Sequence, residues 1–242
     1  MATVHEHYSR HLGPVYSWMV GGVASAIERG AAELDTIGVA AASNGVAVDL
    51  GAGFGMHAVP LARRGFNVLA IDSCAELLDE LNVQREALPI TTVRADLQSF
   101  QQHLPGKPQL VLCMGDTITH LADAESVTRL VRAVSAELSV GGRFVVTFRD
   151  YTNPLVDEHR FIPVRSDDSR ILTCFLEYGD SHVTVHDILH ERDGTDWKQS
   201  VSAYQKLRLS PEWLVSSLRE NAFVVDQAPG ASGMVRVIAH RV

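Results

Sequence analysis

The sequence predicts an α/β fold built around a parallel sheet, and three observations carry that expectation. From residue 44 to residue 150, apolar runs of strand length alternate with segments of helical spacing. The first of those strands runs directly into a glycine turn and then a helix, in "GVAVDLGAGFGMHAVPLARRG". Beyond Asp150 the alternation stops, and strand-like runs follow one another with only short turn signals between them. Strands separated by helices imply right-handed crossovers between parallel neighbours, whereas strands joined by turns imply an antiparallel meander.

The elements follow in order. The leader, "HYSRHLGPVYSWMVGG", is aromatic and histidine-rich with Gly-Pro and Gly-Gly breaks, and reads as short helices around turns. "VASAIERGAAELDTIG" continues with helical spacing, and "GVAVDLGAG" is a buried strand ending in glycines. In "MHAVPLARRG" a short helix stops at Gly65, and Pro60 has to lie in its first turn or kink it. "NVLAIDS" is a strand, "AELLDELNVQREAL" a helix and "ITTVRAD" a strand, followed by the polar "LQSFQQHLPGKP". "QLVLCMGD" is the fourth strand, "AESVTRLVRAVSAELSVGG" a helix with a double-glycine stop, and "RFVVTFRDY" the fifth strand. Three strand-like runs, parted by "GDS" and "RDGTD", then form the expected meander. In "SPEWLVSSLRENAF", Ser210 is placed to cap a helix, Pro211 takes its first position and Glu212 favours its positive end. Two strands, "VVDQAP" and "MVRVIAHRV", are joined by "GASG". The expectation is one domain: a helical leader over 1–43, a ligand-binding core over 44–150, a β insertion over 151–209 and the completion of the core over 210–242.

At 242 residues, 46% hydrophobic and 21% charged, the chain suits such a domain with a large buried core. A formal net charge of −8 disfavours a nucleic-acid backbone as the main partner. Cys74, Cys113 and Cys174 are too far apart for a zinc spacing and odd in number, so they read as buried reduced thiols. "MATVHEHYSRHLG" contains no signal-type apolar run, and no stretch reaches the roughly 18 apolar residues of a membrane span; the expected compartment is the cytoplasm. His5, His7 and His11 lie close together without an evident carboxylate or cysteine partner. They are expected to be solvent-exposed, and no metal site is expected.

The glycine turn is where chemistry is expected. A strand that turns at once into a helix presents free N–H groups and a positive dipole end, and glycine keeps side chains out of a ligand's way. Ligands of open parallel sheets bind at this edge. A dinucleotide fingerprint would place its third glycine at position 56, but Met56 stands there and the glycine is Gly55. No Gly-Lys-Ser/Thr follows, so this is not a Walker loop. A nicotinamide-dependent oxidoreductase shares the general architecture and is disfavoured by that spacing.

The pattern Asp49-x-Gly51-x-Gly53-x-Gly55 resembles the first motif of class I S-adenosylmethionine-dependent methyltransferases. The resemblance implies a Rossmann-like, seven-stranded, mostly parallel sheet with a final antiparallel strand. It implies S-adenosyl-L-methionine as the cofactor, with Asp49, Gly51, Ala52 and Gly53 against its methionine and ribose parts. Asp72, followed by Ser73, is expected to hold both ribose hydroxyls, because a carboxylate accepts two hydrogen bonds at once. Asp96, with Leu97, is expected near the adenine amino group. "LCMGDTITHL" resembles the "CxGNSxxHL" segment of glycine N-methyltransferase-like small-molecule methyltransferases, with Asp116 where that family often has Asn. By that resemblance Met114 and Gly115 lie over the adenine or ribose and His120 near the methionine end. The leader resembles the aromatic lid of these enzymes, with Tyr8, Tyr16 and Trp18 as candidates to face a sulfonium, a cation that aromatic faces attract.

Methyl transfer from a sulfonium is an in-line displacement whose leaving thioether needs no proton, so much of the rate can come from positioning. No catalytic residue is singled out. "CMGDTITH" lacks the Asn/Asp-Pro-Pro-Tyr segment of amino-methylating nucleic-acid enzymes, which favours a small-molecule acceptor with an N or O nucleophile. Asp116, Arg149, Tyr151 and Tyr178 are the candidate substrate contacts, and Arg149 is the natural clamp for a carboxylate or phosphate. His186 and Tyr204 lie in the meander, on faces that period-two alternation leaves open. A tRNA or protein acceptor, or a member of the fold that binds the cofactor without turnover, are the alternatives. The meander's exposed edge is a candidate homodimer surface.

Overall fold

Strands that are apolar along their whole length have to be covered on both faces, and the computed structural model, which describes residues 1–242, shows what covers them. The chain begins with α1 (Val4–His7), a π turn (Tyr8–Leu12), α2 (Gly13–Met19) and α3 (Val23–Thr36). α1 opens on a capping box: Thr3 Oγ1 accepts the Glu6 N–H at 3.1 Å, and the Glu6 carboxylate accepts the Thr3 N–H at 3.0 Å. The core then alternates β1 (Val46–Leu50), α4 (Ala58–Arg63), β2 (Asn67–Asp72), α5 (Ala75–Gln84), β3 (Ile90–Arg94), β4 (Leu110–Cys113), α6 (Ala124–Glu137) and β5 (Arg143–Phe148). Pro60 lies within the first turn of α4, where no intrahelical N–H is lost. The polar stretch after β3 forms a 3₁₀ helix, Leu97–His103.

Four strands follow β5: β6 (Phe161–Ser166), β7 (Arg170–Tyr178), β8 (His182–Asp193) and β9 (Asp196–Leu207). The sequence marks three of them. β6 escapes because Pro163 interrupts its run, and proline is tolerated only where a ladder N–H is dispensable. β6 is an edge strand, and its register with β7 shifts between Pro163 and Arg165. α7 (Pro211–Glu220), β10 (Phe223–Pro229) and β11 (Val235–Arg241) end the fold. Ser210 caps α7, its Oγ accepting the Trp213 N–H at 3.2 Å.

The main sheet has seven strands in the order β10-β11-β5-β4-β1-β2-β3. All neighbours among β1–β5 pair in parallel, and β11 runs antiparallel to both β5 and β10. Successive side chains feed opposite cores. Val48, Leu50, Val111, Cys113 and Val146 join the layer covered by α6 and α7, while Ala47, Leu110, Leu112 and Val145 join the layer covered by α3, α4 and α5. Each fully buried aliphatic side chain contributes about 1.5–3 kcal/mol, so both layers hold the sheet between them.

The meander is a separate four-stranded sheet, order β6-β7-β8-β9. Its inner face is apolar toward the leader: Leu172 and Leu189 pack with Leu12 and Val15. Leader and meander are also joined by the Ala2 N–H, which donates to the Ala203 carbonyl at 3.0 Å. His7 departs from expectation. It is fully buried, with Nε2 3.0 Å from Asp187 Oδ2 and Nδ1 2.8 Å from Ser202 Oγ. The carboxylate partner missing from its sequence neighbourhood comes from β8, some 180 residues on. His11 Nε2 reaches the Asp187 carbonyl at 3.1 Å, and His5 alone of the three is exposed.

α3 approaches the turn after β1 at Gly30. A Cβ there would run into the Met56 carbonyl, a backbone atom that cannot step aside. Alanine gains at most about 1 kcal/mol of helix propensity over glycine, against about 1–3 kcal/mol for forced overpacking. Gly30→Ala is therefore expected to lower the thermal midpoint by several degrees in a circular-dichroism melt; a higher midpoint would show that the contact is loose.

Candidate cofactor cleft

The three glycines after β1 differ in task. All hold left-handed φ angles, 75° at Gly51, 52° at Gly53 and 98° at Gly55. A Cβ on Gly51 would strike Thr117, and one on Gly55 would strike Leu81 of α5, so these two allow close packing. A Cβ on Gly53 would meet nothing nearer than Leu77 Cδ1 at 3.9 Å. Gly53 opens onto a cleft of about 230 Å³ at the carboxyl ends of the central strands.

Acids of successive strand ends border that cleft. Asp72 closes β2, with Oδ2 accepting the Gly53 N–H at 2.8 Å and Oδ1 accepting the Cys74 N–H at 2.8 Å. A carboxylate oxygen has two acceptor directions, so each oxygen keeps one for a ligand, which suits a pair of neighbouring hydroxyls. Burial pushes the Asp72 carboxyl up, and the N–H groups of Cys74, Gly53 and Ser73 oppose that shift. Asp96 lines the cleft with Leu97 and also caps the 3₁₀ helix, accepting the Gln98 N–H at 2.8 Å. Asp49 lies beneath the loop, buried, with Oδ2 lacking any hydrogen-bond partner. Burial pushes its carboxyl up to about 6, against the pull of His57.

The other wall comes from the leader and from the loop after β4. Tyr8 and Tyr16 line it, their ring centroids 5.9 Å apart, and Val4 and His5 stand at the same opening. Burial, then the charges of Asp72 and Asp116, push the Tyr16 phenol up to about 12, so it remains a neutral donor. His120, Ser73 and Gly115 line the cleft as well. Ala52 and Met114 are buried in the core behind it. Trp18 faces away, donating from Nε1 to Asp167, with its ring 5.7 Å from the guanidinium carbons of both Arg165 and Arg170.

Of the four candidate substrate contacts, Asp116 and Tyr151 meet in a buried cluster, the side chains of Arg149 and Tyr178 stand apart, and none of the four lines the cleft. Asp116 is buried and bonds to Lys206 of β9, to the Tyr151 hydroxyl at 2.8 Å, to the Arg149 N–H at 2.9 Å and to Thr119 Oγ1 at 3.0 Å. Burial alone would raise its carboxyl, but Lys206 and these donors hold it below the usual carboxylate range. Tyr151 is buried on Asp116, and burial followed by that charge raises its phenol. The Arg149 side chain is exposed and donates to the Ser232 carbonyl at 3.1 Å; it lines no part of the cleft, because the strand end aims its backbone rather than its guanidinium at Asp116. Tyr178 is half-buried at the end of β7 with the Arg208 guanidinium 5.7 Å from its ring, outside the cleft. Tyr204 faces inward, stacked on His7 at 4.0 Å, whereas His186 on the opposite face bonds to Glu177. Sequence reading missed Lys206 and Asp187. The signal available was Lys206 at two residues from Tyr204, on one face of one strand.

Residues 47–142, which carry the glycine loop, Asp72, Asp96 and the turn to His120, match the model of a methyltransferase domain. That match makes residues 47–142 a methyltransferase domain. Glycine/sarcosine N-methyltransferase of Aphanothece halophytica is 26% identical over 106 residues, 43% of this chain and 40% of that protein. The chain thus matches about two fifths of the length of the curated relatives. The methyltransferase CcbJ from Streptomyces caelestis superposes with a TM-score of 0.78 at 19% identity, covering 97% of this chain and 98% of that one. CalS10 from Micromonospora echinaspora, an amino pentose methyltransferase solved with S-adenosylmethionine bound, gives 0.77 at 16% identity, covering 96% and 97%. These likenesses show a shared fold. No helix is long and apolar enough to cross a membrane.

The buried, half-satisfied Asp49 has a measurable consequence. Its folded pKa lies above the ordinary 3.8, so the folded state binds its proton more tightly. Stability from this group is complete below about pH 4 and is lost as pH rises through about 6. Asp49→Asn should remove that dependence: urea unfolding is expected to show the variant gaining on the wild type between pH 4 and pH 7. A parallel pair of stability curves would mean that Asp49 is compensated in solution.

Proposed function

We propose that the protein transfers a methyl group from S-adenosyl-L-methionine to a nitrogen of a small-molecule acceptor. The observation that carries this is the Asp72 carboxylate, fixed by two backbone N–H groups and left with one free acceptor direction on each oxygen at the cleft edge. Gly53, where an added Cβ would meet only Leu77 Cδ1 at 3.9 Å, and Asp96 extend the seat on either side. The donor set suits the cofactor: carboxylates for the ribose diol and the adenine amino group, bare backbone for the methionine end, and aromatic faces for a cation. Nitrogen as the acceptor is supported by the N-methyltransferase names of the sequence relatives and small-molecule acceptance by the amino pentose enzyme among the structural neighbours.

When bound, S-adenosylmethionine supplies an electrophilic methyl carbon on a sulfonium. The protein's own work is to bind, orient and exclude water. Asp72 and Asp96 fix the adenosyl end, while Tyr8 and Tyr16 roof the cleft from a leader anchored to the meander. Water kept from the reacting atoms and a lone pair held at near-attack distance lower the barrier without acid–base assistance.

Calorimetry tests the seat. Asp72→Ala should weaken S-adenosylmethionine binding by about 1–3 kcal/mol, the scale of losing hydrogen bonds to a charged group, with the fold intact by circular dichroism. Equal affinities would remove Asp72 from the role. Mass spectrometry of metabolite fractions incubated with labelled cofactor should find the new methyl group on nitrogen; a labelled RNA or protein instead would overturn the acceptor class.

A further inference from the structure

His120 brings to the cleft wall a buried ring nitrogen that no hydrogen bond explains. Its ring lines the cleft, yet Nε2 is buried without a partner. Its surroundings come from three directions. The lid presents the edge of Tyr8 at 5.5 Å between centroids, with His7 behind it on Asp187. β9 presents Tyr204 at 5.8 Å and Lys206, whose Nζ lies 5.8 Å from the Tyr204 ring. Its own loop presents Asp116.

Asp116 gives its acceptor positions to donors other than His120. Two acceptor directions per oxygen make four. The Arg149 N–H takes one on Oδ1, the Tyr151 hydroxyl and Lys206 take Oδ2, and the Thr119 hydroxyl is shared between Oδ1 at 3.0 Å and the Asp116 backbone carbonyl at 2.7 Å. The anion is spent on Lys206, and the cation beside His120 is held in place.

We propose that His120 orients the acceptor by taking a hydrogen bond from its N–H without taking the proton, and that the buried Lys206–Asp116 pair is the positioning element that keeps the imidazole uncharged. This rests on the methyl-transfer reading above. Burial first, then Lys206, push the His120 ring down to about 3, with Asp116 opposing and His7 adding to the shift. An alkylammonium resembles the lysine side chain, at about 10. Proton transfer from it to this ring is strongly uphill, so the ring takes a hydrogen bond rather than the proton. A neutral ring still offers a lone pair, and one N–H held by it turns the amine's own lone pair toward the methyl carbon. The N–C bond forms as the S–C bond breaks, the S–C electron pair stays on sulfur and neutralises it, and the product ammonium loses its proton to water after release. The acceptor has to arrive as the free amine.

The first test needs no turnover. Histidine-labelled protein is titrated by NMR, and the His120 signals are assigned by their loss in His120→Phe. The expected result is a neutral ring from pH 8 to pH 5; a transition near the ordinary 6.5 would overturn the proposal. In Lys206→Met the ring should titrate inside that window, since Asp116 is then uncompensated, and an unchanged silent ring would remove Lys206 from the role. Should that variant not fold, the wild-type titration still decides the charge state. With an accepted amine, the kcat/KM profile should rise with pH along the amine's own ionisation and move when a less basic amine is used. His120→Phe should lower kcat about threefold to tenfold, the loss of one neutral hydrogen bond. A fixed limb between pH 6 and 7 that vanishes in His120→Phe would make His120 a base. No methyl transfer to any amine would sink the reading on which this rests and leave the titration result standing.

Discussion

One buried carboxylate holds the halves of this molecule together. Asp116 follows β4 in a left-handed backbone conformation, φ 75°, and draws four donors onto itself: a backbone N–H just past β5, a hydroxyl from its own turn, a phenol from the segment that leaves the core and an ammonium from β9. A buried ion pair is not a stability device by default, because desolvation offsets much of its attraction. Here both carboxylate oxygens are hydrogen-bonded, and a well-satisfied buried network of this kind favours one arrangement over several. The meander cannot shift relative to the parallel sheet without uncovering a charge.

That pin explains why the cleft has two unlike walls. The core wall is backbone and carboxylate, set by the local geometry of strands that end and turn. The outer wall is aromatic and imidazole, set by contacts across more than 100 residues of sequence, such as His7 with Asp187. The π turn of Tyr8–Leu12 joins the two: one extra residue per turn separates α1, which meets β9, from α2, which carries Tyr16 to the cleft.

The first wall was legible in the sequence and the second was not. A glycine loop between a strand and a helix, with acids at the next strand ends, is a local pattern, and Gly53, Asp72 and Asp96 all stand where such a pattern puts them. Pairings between distant strands leave no such trace. His7 looked exposed because its partner lies on β8, and Arg149 looked like a clamp because only its type, not its direction, can be read from "FRDY". β6 was hidden by Pro163, since a proline argues against a strand until an edge makes it harmless. Asp116 stood out for replacing an expected Asn, yet the lysine that answers it lies 90 residues further on.

The leader packs on the glycine turn and α5 through Tyr8 and Tyr16, but its hydrogen bonds and its own apolar cluster go to the meander: the Ala2 N–H meets Ala203, His7 meets Asp187 and Ser202, and Leu12 and Val15 pack on Leu172 and Leu189. These two regions, separated in the chain by the entire core, form one structural module. A chimaera that exchanges the β insertion for a relative's in order to change acceptor preference therefore has to bring that relative's first helices with it, or it will graft a new floor under a roof whose pegs no longer fit.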